Sequence, residues 1–287
     1  MLGLLLVAGA IALVALGILL YAFQERLIFL PDTPGRELRA TPADAGLRYE
    51  DITLTTADGE RLHGWFVPAE DDAAPVLLHF HGNAGNIGDR IDLLQLFHEL
   101  GLATLIVDYR GYGQSTGRPS EQGTYRDATA AWRHLVEERG IHPARILLHG
   151  QSLGGAVAAW LATEVAPAGL ILDSTFTSVP AIAAEIYPWL PTRRLARIDY
   201  DTLSRVPQID APTLVLHSRD DDIIGFHHGQ RLAEAANTEL VALSGGHNEA
   251  IALSRQRYRS ALHDFVATLD ASPRTAPGQE SSNHEAQ

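Results

Sequence analysis

Two patterns of apolar and polar positions divide the chain. Residues 2–23, "LGLLLVAGAIALVALGILLYAF", carry no charged side chain. As a helix this run would extend about 33 Å, enough to cross the hydrocarbon core of a bilayer. From residue 50 to residue 270 short apolar runs alternate with longer amphipathic stretches, which predicts an α/β fold on a mostly parallel central sheet flanked by helices. "DITLTTADGERLHGWFVP" reads as an antiparallel hairpin turning at Asp58-Gly59. The runs "PVLLHFHG", "LATLIVDYRG", "RILLHGQS" and "GLILDSTF" are apolar throughout, as strands buried on both faces must be. Helical spacing at 88–100, 121–139 and 153–165 supplies the crossovers between them. A further strand pair, "PTLVLHSRD" and "TELVALSGGHN", precedes a helix at about 249–269.

This rhythm divides the chain into an anchor at 1–25, a linker at 26–49, a catalytic domain at 50–270 and a polar, disordered tail at 271–287. Residues 176–206 break the strand rhythm and are expected to form a cap. Within it Tyr187, Trp189 and Leu190 suit an acyl pocket, and Arg193, Arg194 and Arg197 suit lipid headgroups or an anionic substrate. A core helix with a solvated basic face fits the same residues. The N-terminal run lacks a basic region before it and a small-residue cleavage site after it, so an uncleaved membrane anchor is expected rather than a signal peptide. Tyr21, Phe23 and Arg26 suit its interfacial end; Arg26, Arg36 and Arg39 follow the helix but are interleaved with Glu25, Asp32 and Glu37, so the side of the membrane is left open, with the count of basic residues alone pointing to the cytoplasm.

Composition removes several chemistries. There is no cysteine, and all 22 basic residues are arginine, which excludes thiol and lysine mechanisms. A net charge of -13 argues against a nucleic-acid partner, because phosphate binding needs basic patches. The expected partner is a small-molecule or lipid-like acyl substrate. His79, His81, His149 and His217 fall near predicted strand ends, but they lack metal-ligand spacing and read as buried, hydrogen-bonded histidines. "GFHHG" reads as a helix start. No metal and no cofactor are expected.

Gly150-Gln151-Ser152-Leu153-Gly154 falls where a predicted strand ends and a predicted helix begins, the setting of a nucleophile elbow. A glycine-rich helix start with an N-cap serine has the same look. A serine hydroxyl is a weak nucleophile, so the elbow needs a base and an orienting acid further along. His247 in "SGGHNEA" offers the base, on a loop that two glycines let return to the elbow. Asp220, Asp221 and Asp222 in "HSRDDDIIG" and Asp173 in "LILDSTF" all offer the acid.

The ordered series "HGNAGNIGDR", "VDYRGYGQSTGRPSE", "GQSLGGAVA", "DSTFTSV", "HSRDDDIIGFHHG" and "GGHN" resembles the α/β-hydrolases, and more closely their membrane-anchored members with a single N-terminal helix. The resemblance covers about residues 50–270. It implies an α/β-hydrolase fold and a serine esterase or thioesterase, with Ser152 as nucleophile, His247 as base and Asp221 as acid. The family's acid follows a His-Gly pair at a fixed step; here Ser218 replaces that glycine, and Asp173 is the second choice. The resemblance also implies an oxyanion hole from the backbone N–H groups of Asn83 and Leu153. A peptidase acting on amides would use the same residues, and a catalytically silent membrane-associated binding protein is the alternative of another class.

Overall fold

The computed structural model describes residues 2–271. The tail expected at 271–287 therefore lies, apart from its first residue, outside the described residues. Eight strands form one sheet: β1 (Glu50–Thr55), β2 (Arg61–Val67), β3 (Val76–Phe80), β4 (Ala103–Val107), β5 (Ile146–Gln151), β6 (Gly169–Asp173), β7 (Thr213–Ser218) and β8 (Leu240–Leu243). Their order is β1-β2-β4-β3-β5-β6-β7-β8, antiparallel from β1 to β4 and parallel from there on. The hairpin turns where the Asp58-Gly59 pair required it. Because β4 lies on one side of β3 and β5 on the other, the winding direction reverses between β3 and β5. That switch leaves a crevice at the carboxyl ends of the two strands, where open α/β sheets bind ligands.

The wholly apolar strands are buried on both faces, and their residues alternate between two cores. Val76, Leu78 and Phe80 face one core while Leu77 faces the other, and Leu148 and Leu147 divide in the same way. The first core is closed by α4 (Glu121–Arg133), α5 (Leu153–Glu164) and α9 (Phe226–Ala235). The second is closed by α3 (Ile91–Glu99) and α11 (Arg255–Ala271).

Three stretches outside the cap depart from the sequence reading. The helix read at 121–139 ends at Arg133 and runs on as a π-turn over His134–Glu138. The helix read at 249–269 is split into α10 (Ala250–Leu253) and α11, since the Ser254 hydroxyl turns to bond Ser244 at the end of β8. Residues 26–49 are not a free linker. Phe29 is buried, Leu30 forms a bridge to Ala84, and Leu38, Leu47 and Tyr49 pack with Trp65 and Ile106. This segment has little regular structure, so it carries no hydrophobic period to read.

The expected cap divides into two parts. Residues 179–195 form α6 (Val179–Ile186) and α7 (Thr192–Leu195) over the carboxyl end of the sheet. Ile198, Tyr200 and Val206, with α8 (Thr202–Arg205) between them, belong to the core instead. Tyr200 is fully buried and its hydroxyl bonds Thr124 on α4 at 2.7 Å. The N-terminal run forms α1 (Leu2–Ala22), followed by α2 (Gln24–Ile28). Leu5, Ile11 and Leu19 on α1 are each more than half exposed, so α1 is no core helix. Its length and composition suffice to cross a membrane.

Candidate active site

Ser152 sits on the turn between β5 and α5 with φ 54° and ψ −120°. A non-glycine residue with positive φ is strained, and such strain persists where the surroundings hold it. Here the surroundings are tight: a Cβ on Gly150 would strike the Gly154 carbonyl, and one on Gly154 would strike the Phe80 carbonyl. The Ser152 N–H donates to Asp173 O at 2.9 Å, and Thr175 Oγ1 donates to Ser152 O at 2.6 Å. These contacts fix the turn and leave Oγ projecting over the crevice.

His247 arrives from the loop after β8. Its Nε2 lies 3.0 Å from Ser152 Oγ and its Nδ1 2.7 Å from Asp221 Oδ2. The carboxylate can only accept, so Nδ1 carries the proton and Nε2 is free to accept from the serine hydroxyl. Asp221 Oδ1 accepts from the N–H groups of Ile223 and Ile224 at 3.0 and 2.7 Å. Burial pushes the Asp221 carboxyl up, but the hydrogen bonds from His217 and His247 and the Ile224 N–H outweigh it. The net result is a carboxyl well below the usual range, ionised at neutral pH.

The other aspartates have different work. Asp222 Oδ1 accepts from the His247 backbone N–H at 2.9 Å, and Asp220 Oδ2 accepts from Gly245 N–H at 3.2 Å. Both hold the loop that carries the imidazole. Asp173 does not reach His247: its oxygens accept from Ser174 Oγ and Tyr258 Oη at 2.9 and 3.1 Å. Its carboxyl is pushed up by burial against those two hydrogen bonds and the charges of His247 and His217. The second choice of acid is therefore a buried packing group beneath the elbow.

Gly82 approaches Ser152 so closely that a Cβ there would lie 3.5 Å from the serine Cβ. The next residue, Asn83, is held by its own carbonyl, which accepts from Leu30 N–H and Tyr112 Oη, and by its amide, which donates to Ile28 O. Among the described residues no hydrogen bond from Asn83 N–H is found. Leu153 opens α5, where the first N–H groups have no partner within the helix. Asn83 and Leu153 both line the same cavity as Ser152.

That cavity, about 640 Å³, runs from the serine beneath the cap. Ile182, Ile186, Tyr187 and Leu190 of the cap line it, as the sequence suggested for Tyr187 and Leu190. Trp189 does not; it is 58% exposed. The opposite wall was not foreseen: it includes Gly17, Leu20, Tyr21 and Gln24 from the N-terminal helices. The roles of His217, Asp220 and Asp222 were also missed, because only the meeting of separate loops creates them.

His79, His81, His149 and His217 are fully buried. His79 Nδ1 bonds His149 Nδ1 at 2.7 Å and His149 Nε2 bonds Tyr258 Oη at 2.9 Å, while His217 Nε2 donates to Ile224 O at 2.7 Å. Burial lowers the pKa of His149 to about 3, keeping it neutral. One cluster outside the crevice brings ligand-type atoms within 4.8 Å of one another: Glu185, His227 and His228. The Thr177 N–H donates to His228 Nδ1 at 3.1 Å, so the neutral ring carries its proton on Nε2, the atom facing Glu185 Oε1 at 3.1 Å. His227 Nε2 and His228 Nε2 both face Glu185 Oε1, at 3.0 and 3.1 Å, and the cluster links α6 to α9.

A sheet wound in this way, with a strained serine in its crevice and a histidine and carboxylate on the following loops, defines an α/β-hydrolase. The chain belongs to the α/β-hydrolase family. The family described as serine aminopeptidase, S33 matches residues 71–198, which include Ser152 but stop short of Asp221 and His247. The chain is similar to the alpha/beta hydrolase domain-containing protein WAV2 of Arabidopsis thaliana, 38% identical over 239 residues that cover 76% of this chain and 77% of that one. It is 31% identical over 272 residues, 90% of this chain and 94% of the other, to an uncharacterized membrane protein of Saccharomyces cerevisiae, YNL320W. The Pyrococcus furiosus esterase Pf2001 shares the fold with a TM-score of 0.68 and 21% identity, covering 79% of this chain and 95% of that one.

Proposed function

We propose that this protein is a membrane-anchored serine hydrolase that cleaves a carboxylic ester or thioester through an acyl-enzyme. The observation that carries this reading is the hydrogen-bonded series Ser152–His247–Asp221 opening onto an apolar groove. Ser152 Oγ attacks the acyl carbon as His247 Nε2 takes its proton. Asp221 holds the imidazole in the tautomer that can accept that proton and stabilises the cation formed. Negative charge gathers on the carbonyl oxygen, to which Asn83 and Leu153 N–H would donate; removing one such donor typically costs about 3 kcal/mol. His247 then gives the proton to the leaving oxygen or sulfur, the bond from the acyl carbon breaks, and acyl-Ser152 remains. Water, losing its proton to the same imidazole, attacks the acyl carbon; the bond from that carbon to Ser152 Oγ breaks, Oγ takes the proton back from His247 Nε2, and the acid is released.

An ester or thioester is favoured over a peptide by the groove walls. An aminopeptidase must hold a substrate ammonium group, and among the described residues no Asp or Glu lines this groove. The one arginine among the described lining residues is Arg90. Membrane anchoring draws support from the exposed apolar surface of α1 and the name of the yeast relative.

The test is covalent labelling of the full-length protein with a fluorophosphonate, followed by hydrolysis of 4-methylumbelliferyl butyrate. Wild type should label and turn over, and Ser152→Ala should do neither. An unlabelled wild type would leave a silent binding protein as the better reading.

A further inference from the structure

The wall opposite the cap is unusual because it is built by the apolar N-terminal helix, the proposed membrane anchor. Gly17, Leu20, Tyr21 and Gln24 on α1 and α2 line the groove, and Leu27 and Ile28 continue the row. Their spacing of three and four residues places all six on one helical face. The helix is continuous enough to carry that face across the junction: Phe23 N–H donates to Leu19 O at 3.0 Å and Leu27 N–H to Phe23 O at 3.3 Å. From Gln24 back to Gly17 the row covers about 10 Å of helix, so the groove wall reaches well into the apolar segment.

The helix is also fastened to the cap. Gln24 Nε2 donates to Leu195 O and Gln24 Oε1 accepts from Arg197 N–H, both at 2.7 Å. The Arg197 guanidinium lies 5.3 Å from the centre of the Tyr21 ring. A tether would need no such clasp. Beyond the groove, no protein covers α1 among the described residues, so in a membrane its next neighbours would be lipid chains. An apolar groove that starts at the nucleophile and continues along the lipid-exposed face of the anchor joins the site to the bilayer interior.

We infer that the substrate is a long-chain acyl ester residing in the bilayer, whose chain enters sideways between α1 and α6 and lies along the Gly17–Leu20–Gln24 face. The ester then meets Ser152 at the membrane surface without crossing water. This rests on the hydrolase reading above and names the substrate class of that site. Gly17 is the position where the wall has no side chain, and a Cβ there would meet nothing within 4 Å, so a large residue projects into the groove without striking the fold.

The test uses the full chain in dioleoylphosphatidylcholine vesicles carrying 4-methylumbelliferyl oleate, with 4-methylumbelliferyl butyrate in solution as the short-chain probe. Gly17→Trp should lower the ratio of long-chain to short-chain kcat/KM at least about tenfold, since displacing even two methylenes from the groove has an effect of that size. Leu19→Trp, on the face of α1 turned away from the groove, should keep the wild-type ratio. Fluorophosphonate labelling of each variant reports the state of Ser152 separately. Labelled Gly17→Trp with an unchanged ratio, or equal losses in both variants, would overturn lateral entry while leaving the hydrolase reading intact. A wild type that neither labels nor cleaves the short ester would remove that reading itself.

Discussion

Two hydrogen-bonded series built from the same residue types meet at the carboxyl end of the sheet, and they differ in almost everything that matters for chemistry. In one, His79 on β3, His149 on β5, Tyr258 on α11 and Asp173 on β6 form an unbroken chain of contacts between 2.7 and 3.1 Å. With Asp173 ionised the protons run His79 Nδ1–H to His149 Nδ1, His149 Nε2–H to Tyr258 Oη and Tyr258 O–H to Asp173; with Asp173 protonated the same contacts are satisfied in the reverse direction. In the other, Ser152, His247 and Asp221 come from loops just past β5, β8 and β7. The first series sits on the elements themselves and is sealed on all sides; all four of its members are fully buried. The second lies one step beyond the strand ends, where a cavity gives a substrate access.

Environment then drives the two carboxyls apart. Burial wins at Asp173 and raises its pKa, whereas at Asp221 two histidines and a backbone N–H overcome burial and lower it. An aspartate, a histidine and a hydroxyl in contact do not define a site. Access, and a charge balance that keeps the acid ionised, do.

The largest test of this contrast is removal of the nucleophile or base. Ser152→Ala and His247→Ala should each reduce kcat by about 10⁴ to 10⁶, and the double variant should lose little more, because such residues act as a unit. Additive losses in steady-state kinetics would mean the two do not share a step. Next in size is Asp221→Asn, expected to reduce kcat about 10⁴-fold by favouring the wrong imidazole tautomer, while Asp173→Asn stays within about tenfold of wild type. A crippled Asp173→Asn with an active Asp221→Asn would reverse the assignment of the two series.

The sealed series should answer in stability. Tyr258→Phe leaves His149 Nε2 and Asp173 Oδ2 without their buried partner, while Ser174 Oγ stays on Asp173 Oδ1, and should cost about 1–3 kcal/mol by denaturant midpoint with turnover nearly unchanged. A large loss of kcat with normal stability would make the buried series part of the chemistry. The smallest effect is a difference in pH slope. Above about pH 4 the unfolded chain has lost the Asp173 proton that the folded chain still holds, so this group's contribution falls as pH rises toward its raised folded value. Asp221 has the opposite sign: its contribution is present above about pH 4 and is lost as pH falls toward its depressed folded value. Denaturant midpoints of wild type against Asp173→Asn and against Asp221→Asn across pH 3–7 should therefore slope in opposite directions.

The alternation of apolar runs and helical spacing carried the eight strands and most of the flanking helices, because a strand buried on both faces has no choice but to be apolar throughout. The elbow was equally plain. A turn in which a Cβ would strike the next backbone leaves only glycine at Gly150 and Gly154, and that demand is written in the sequence. His247 could be picked out because two glycines and a strand end mark its loop. Asp173, Asp220, Asp221 and Asp222 are all short acids near strand ends, and it was the family resemblance and the place of Asp221 just after its strand, ahead of Ile223 and Ile224, that favoured Asp221. The register of β6, β7 and β8 brings that carboxylate within 2.7 Å of the imidazole. The segment at 26–49 stayed hidden because irregular chain shows no period even when it packs tightly.

What the sequence determined by itself is the local: an apolar helix, a strained serine turn, buried strands, the absence of thiols and lysines. Each follows from forces acting within a few residues, the sterics of one turn or the hydrophobicity of one face. What only the tertiary structure decided is the shared: the hydrogen bonds that make one aspartate a carboxylate and its neighbour across the sheet a buried acid, and the joining of α1 to the cap around one groove. Those depend on distances between elements far apart in the chain, and burial and charge act on a group through whatever the fold sets beside it.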